Sequence, residues 1–162
     1  MNLAEEDDIM KIYQTKDAEL IAKLNQSVHE LHVSLYPSYF KDYHAEKVKT
    51  FFEGLMNKEQ YIFLVLEDIG QSIGFAMLEL KAYPETIFKN AYQSLYIHQL
   101  SISSMYKSKG YGTKLMDEIT TIARNKGLHK IELDHWSDNE IAKAFYKNLG
   151  YSPIREYLYK DI

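Results

Sequence analysis

Hydrophobic positions along the chain follow two different periods. Leu20, Ile21, Leu24, Val28, Leu31 and Leu35 recur at three- and four-residue intervals up to Pro37, which predicts an amphipathic helix capped by Asp17. A second helix is predicted near Ala45 to Met56, with Val48, Phe51, Phe52 and Leu55 on one side. The pattern then changes. Tyr61 to Leu66 is a continuous apolar run, Asp68-Ile69-Gly70-Gln71 has turn chemistry, and Ser72 to Lys81 is strand-like, so the three together predict a hairpin. After an irregular stretch around Pro84, Leu95 to Ile102 reads as a further strand.

Helical spacing returns from Gly112 to Lys126, where Leu115, Met116, Ile119, Ile122 and Ala123 share a stripe that Gly127 terminates. Ile131 to His135 predicts a short strand. Ser137 and Glu140 have the spacing of a capping box and would open a last helix that stops at Gly150. Residues Tyr151 to Lys160 are expected to finish the sheet. The order β-α-α-β-β-β-α-β-α-β specifies an α/β fold whose central sheet is mixed, because a hairpin sits in its middle. With 162 residues, 46% of them hydrophobic, and no repeat or linker, the whole of 1–162 is expected to be one domain.

Charge and composition narrow the function. Nineteen basic against 23 acidic residues leave a formal charge of −4, with no surplus to neutralise a phosphate backbone, so nucleic acid is not expected as a partner. The absence of cysteine excludes disulfides, thiolate metal sites and a cysteine nucleophile. The acidic start, Met1 to Asp8, is unlike a basic secretory signal, and no apolar run reaches the ~18 residues of a membrane span. The expectation is a soluble cytoplasmic protein without a membrane partner. Fourteen tyrosines and seven phenylalanines are a heavy aromatic load, expected in core and rim packing.

The informative junction is Ile102 to Thr113, where a strand ends and a helix begins. Gly110 and Gly112 remove side chains from that helix start, so its backbone N–H groups and the positive end of its dipole can face an anion such as a pyrophosphate; Lys107 and Lys109 add charge. A Walker loop is excluded because no Gly-Lys-Ser/Thr ending is present, and a dinucleotide fingerprint fails because Leu115 stands where the third glycine belongs.

The stretch Lys107-Ser108-Lys109-Gly110-Tyr111-Gly112 resembles the coenzyme A loop of the GNAT superfamily of N-acetyltransferases, Arg/Gln-x-x-Gly-x-Gly/Ala. It departs at its first position, where Lys107 keeps the charge but loses the guanidinium fork. Asn139 to Tyr151, with Ala142, Phe145, Tyr146 and Gly150-Tyr151, resembles the closing motif of the same family. The resemblance implies a single-domain GNAT-like fold with about four helices around a mixed sheet. It further implies transfer of an acetyl group from acetyl-CoA to the amine of a small molecule or peptide, directly in a ternary complex. Leu100, Ser101 and Ile102 would offer backbone groups to the pantetheine arm and the developing oxyanion. Lys107, Ser108, Lys109, Gly110, Tyr111, Gly112 and Thr113 would hold the pyrophosphate. Tyr146 would act as acid toward the leaving thiolate. Asn139 would either bond the pantetheine arm or cap its helix.

The acceptor ammonium must lose a proton, and His98 or a water chain would take it. His29 and His32 lie three residues apart on the first helix, yet no metal is expected without a third ligand. Trp136 either walls the substrate cleft or covers the core. An acyl-CoA-binding sensor without turnover, or a protein N-terminal or lysine acetyltransferase, are the rival readings. Homodimers are common in the family. The identity of the acceptor is not encoded in any motif.

Overall fold

The computed structural model describes residues 10–162; the acidic segment Met1 to Asp8 lies outside them. Within this range the chain forms β1 (Lys11–Gln14), α1 (Ala18–Leu35), α2 (Ala45–Met56), β2 (Tyr61–Asp68), β3 (Gln71–Tyr83) and β4 (Tyr92–Ile102), followed by α3 (Tyr111–Asn125), β5 (Ile131–Leu133) and α4 (Glu140–Asn148). The sheet runs in chain order, β1-β2-β3-β4-β5, antiparallel throughout except for the parallel pair of β4 and β5.

Two layers of helices cover the sheet. On one face, Ala18, Ile21 and Ala22 of α1 and Phe52, Leu55 and Met56 of α2 pack on Phe63, Val65, Phe75 and Met77. On the other, Leu115, Met116, Ile119, Ile122 and Ala123 of α3 pack on Leu64, Leu66, Ile73, Leu78, Leu95 and Ile97. Burial on both faces is why β2 is apolar at consecutive positions from Ile62 to Leu66 instead of alternating. Asp17 caps α1 by accepting a hydrogen bond from the Leu20 amide at 2.9 Å, and the helix stops two residues short of Pro37. Ile69 and Gly70 both take positive φ, 46° and 72°, in the two-residue hairpin turn.

Three expectations fail. Residues Tyr151 to Lys160 form no strand; Tyr151 is half-buried against the core and the residues after it are exposed. Ser137 does not open the last helix. Asn139 is the cap, its Oδ1 accepting from the Ala142 amide at 3.1 Å, because the turn from Ser137 to Asn139 delays the helix start. Phe51, counted with the apolar side of α2, is 58% exposed, on the solvent edge of its stripe.

Candidate active site

The site begins with an irregularity in β4. Met77 pairs with Gln99 and Leu78 with Ile97, so His98 is an extra residue inserted opposite β3. Such a bulge breaks the alternation of faces. Before it Leu95 and Ile97 point to the α3 layer; after it Leu100 and Ile102 do so. Past Ile97 the pairing of β4 with β5 also stops, while β4 remains paired to β3 as far as Ile102. From His98 to Ile102, one edge of β4 therefore has no strand partner among the described residues.

On the α3 side, α4 ties the end of β4 to the end of β5. A Cβ placed on Gly112 would lie 3.1 Å from Phe145 Cζ and 3.9 Å from Ile102 Cγ1, so the glycine lets α4 approach the first turn of α3. Tyr146, the next residue, lies nearly parallel to the His135 ring at 6.5 Å, with Tyr151 edge-on at 5.7 Å. Burial, and after it the neighbouring Tyr151, push the Tyr146 phenol up to about 12. It stays protonated across the physiological range, so its hydroxyl is available as a donor.

Beside this corner lies the start of α3. Ser108 and Gly110 adopt positive φ, 61° and 85°, and a Cβ added to Gly110 would meet nothing within 4 Å. Lys107, Ser108, Lys109 and Thr113 are exposed. The first amides of α3 have no intrahelical acceptor, and the dipole makes this end positive. Tyr111 donates its hydroxyl to the Asp68 carboxylate and Tyr106 donates to Gln71 Oε1 at 2.6 Å, which braces the loop against the β2–β3 turn. Asn139 Oδ1 is committed to its cap, leaving the side-chain NH2 for any ligand.

His98 lies on the opposite face. Its Nε2 is 2.6 Å from Glu79 Oε2, and Lys81 Nζ is 3.8 Å from the same oxygen. The Tyr96 and Tyr61 rings lie 4.8 and 6.0 Å from the imidazole. Tyr96 donates to Asp134 Oδ2 at 2.5 Å, Ser94 to Glu132 Oε2 at 2.6 Å and Tyr92 to Glu132 Oε1 at 3.0 Å. Burial, then the Glu79 charge, raises the Tyr61 phenol; burial, then the bond to Asp134, raises that of Tyr96; burial, then the bond to Glu132, pushes Tyr92 up to about 12. The phenols remain donors. Glu79, Glu132 and Asp134 place three carboxyl groups on one face of the sheet, a surface suited to a cation.

Across this face, α1 passes from β4 to the loop after β5. Buried Asn25 donates to Gln99 Oε1 at 2.6 Å, and just past the C-terminal end of α1 the Asp138 amide donates to the Tyr36 hydroxyl at 2.9 Å. Trp136 packs with Tyr36, Tyr39 and Phe40 at 4.5, 5.6 and 5.1 Å and belongs to neither core layer. His29 Nε2 lies 2.6 Å from the Lys41 carbonyl, and His32 stacks on Phe40 at 5.1 Å. Among the described residues no three His, Cys, Asp or Glu side chains gather as metal ligands, and no helix is long and apolar enough to cross a membrane.

The structure thus brings His98 and Tyr146 to opposite faces of one corner of the sheet, with Leu100, Ser101 and Ile102 on the strand between them and Lys107 to Thr113 beside it. Sequence reasoning missed Glu79, Lys81, Tyr96, Glu132 and Asp134. A signal existed: polar residues at every second position, Glu79-x-Lys81 in β3, Ser94-x-Tyr96 in β4 and Glu132-x-Asp134 after β5, mark one sheet face as polar.

An α/β sheet with a bulged strand, split from its parallel neighbour beside a glycine-containing helix start, defines an architecture shared with many solved proteins. The BH1408 protein of Bacillus halodurans superposes with a TM-score of 0.87 at 22% identity, covering 95% of this chain and 99% of that one. The aminoglycoside N-acetyltransferase AAC(6')-Iy, in complex with CoA, superposes with a TM-score of 0.71 at 15% identity, covering 99% of each chain. The model of the acetyltransferase (GNAT) family matches residues 25–151, and the chain belongs to that family. Its sequence is 27% identical over 124 residues, 75% of the chain, to the N-acetyltransferase MJ1207 of Methanocaldococcus jannaschii. It is 38% identical over 56 residues, 35% of the chain, to the N-alpha-acetyltransferase 30 of Schizosaccharomyces pombe. The chain spans about half the length of the first of these relatives (54%) and 37% of the second.

Proposed function

We propose that the protein is an acetyl-CoA-dependent N-acetyltransferase acting on a cationic primary amine of a small molecule or peptide, by direct transfer in a ternary complex. One observation carries the reading: an unpartnered edge of β4 with an anion-binding helix start and a phenol on one side, and an imidazole among carboxylates on the other. The residues present suit the coenzyme, since the exposed lysines and the open space over Gly110 leave room and charge for a pyrophosphate at the start of α3. Acetyl-CoA would supply the activated thioester. Lys107 to Thr113 would hold its pyrophosphate, and backbone groups of Leu100 to Ile102 would orient the pantetheine arm and meet negative charge on the carbonyl oxygen.

On the other face, Glu79, Glu132 and Asp134 would attract the ammonium, and His98, held by Glu79 through Nε2, would take the amine proton at Nδ1. Tyr146 would donate to the departing sulfur. Since the phenol is pushed up to about 12 and an ordinary thiol titrates near ~8.5, complete proton transfer to the sulfur is uphill by roughly 5 kcal/mol; the hydroxyl is better suited to a hydrogen bond that stabilises the thiolate. No covalent enzyme intermediate is required. The local likeness to the S. pombe N-alpha-acetyltransferase favours a peptide N-terminus as the second acceptor class.

The test is calorimetric titration of the wild type with acetyl-CoA, beside Lys107→Glu and Lys109→Glu, whose exposed side chains spare the fold. Micromolar binding weakened in both variants, followed by thiol release with amines, is the expected result. Binding without release under any amine or peptide would favour a sensor, and no binding would overturn the assignment.

A further inference from the structure

The polar face of the sheet already holds a cation of its own. Lys81 Nζ lies 3.7 Å from the centroid of the Tyr96 ring and 3.8 Å from Glu79 Oε2, the oxygen that also meets His98 Nε2 at 2.6 Å. A lysine stem is long enough to carry its charge out to water. Here the side chain is 29% exposed, and its ammonium is turned over an aromatic face beside the candidate base. Lys130 repeats the arrangement one step along β4, with Nζ 4.5 Å from the Tyr92 ring. Tyr96 donates to Asp134 and Tyr92 to Glu132, so both tyrosines that reach these carboxylates also carry an ammonium of the chain on their faces.

We propose, resting on the acetyltransferase reading for where the reacting amine lies, that Lys81 is a specificity-determining residue. It occupies a second cation subsite beside His98, so the protein takes acceptors that bring a single ammonium and discriminates against diamines.

A second ammonium on the acceptor has two ways to use this face. Displacing Lys81 exchanges one ammonium for another on the same ring and carboxylate, and no contact is gained. Sitting beside Lys81 sets two like charges within a few ångströms, which weakens binding. An uncharged aliphatic body meets neither difficulty and can lie along the Tyr61 and Tyr96 rings, which flank the imidazole at 6.0 and 4.8 Å. Once the lysine charge is removed, the Tyr96 face and Glu79 become available to a ligand. The spacing suits a six-carbon diamine: an extended chain advances about 3.8 Å per three bonds, so its two nitrogens stand roughly 9 Å apart. The path from the imidazole to the Tyr96 ring and on to Nζ is made of steps of 4.8 and 3.7 Å.

The test is calorimetric titration with hexylamine and with 1,6-diaminohexane at fixed ionic strength, which reads the subsite whether or not the protein turns over. The ratio of diamine to monoamine affinity is expected to rise at least tenfold from wild type to Lys81→Met, which keeps the stem and drops the charge. Lys81→Arg, which keeps a cation on the ring, should stay within about threefold of wild type. Lys126→Met changes the net charge equally at the far end of α3 and should leave the ratio where it was. Each variant is first checked for wild-type melting. A ratio unmoved by Lys81→Met, a ratio moved as far by Lys126→Met, a wild type that already favours the diamine, or a Lys81→Met variant that binds no diamine would each overturn the proposal. Thiol release, where it occurs, should show the same ratio in kcat/KM. Its absence with every amine counts against the acetyltransferase reading and leaves the binding ratio to decide the role of Lys81.

Discussion

Tyr146→Phe removes one hydroxyl and keeps the ring that Phe145, His135 and Tyr151 pack against. Stability should therefore change little, and the effect should fall on the transfer step. A hydrogen bond from a neutral phenol to a developing thiolate is charge-assisted, worth ~1.5–3 kcal/mol, which corresponds to a fall in kcat of about 10- to 150-fold. Because the bond would exist mainly once charge has built up on sulfur, KM for acetyl-CoA should move less than kcat. The assay is thiol release followed with a chromogenic disulfide, which a protein without cysteine leaves free of background. A kcat within twofold of wild type, or a raised KM with kcat unchanged, would refute the role and leave Tyr146 as packing. A loss of cooperative melting in the variant would show that the hydroxyl has a structural partner.

Other perturbations probe the remaining parts. His98→Gln should lower kcat by ~10²-fold or more near neutral pH, and the deficit should narrow in alkali as free amine accumulates; a constant deficit across pH would count against proton removal by this side chain. Gly74→Ala would set a Cβ 2.8 Å from the Ser101 carbonyl and 2.6 Å from Ile102 Cδ1. Such overpacking should cost ~1–3 kcal/mol, a fall in Tm of about 2–4 °C for each kcal/mol, read by calorimetry. Burial, then the His29 charge, lowers the titration of His32 below its ordinary 6.5. The unfolded chain therefore binds more protons there, and stability should drop as pH falls below about 6.5 toward the lowered folded value. Urea melts of wild type and His32→Phe, which keeps the stack on Phe40, should show that slope only in the wild type.

Periodicity made the layers of this fold legible, since α1, α2 and α3 each bury the residues that share a helical stripe and β2 with β3 forms the expected hairpin. The loop at Gly110 was legible because two glycines at a helix start have a local meaning. The opening of α4 was not: Ser137 and Asn139 both suit a cap, and only the path of the chain out of β5 decides between them. Residues 151–160 have strand composition, but composition does not say whether an edge is within reach. The polar face escaped because it is assembled from three strands, and Glu79, Tyr96 and Asp134 meet only once the register is set.

The phase of β4 was written in the chain and passed over. Leu95 and Ile97 are followed by Leu100 and Ile102, with His98 and Gln99 adjacent where strict alternation would place one polar residue. The extra residue adds a second polar side chain, His98, beside Gln99 without changing which residues of β4 face α3. Deleting His98 would restore strict alternation, with Gln99 alone between Ile97 and Leu100, so Leu100 and Ile102 would keep facing the layer beneath α3 while the imidazole beside Glu79 would be lost. The more regular strand would belong to the protein that lacks its candidate base. At this point one added residue gives the site a polar group while the core layer stays as it was.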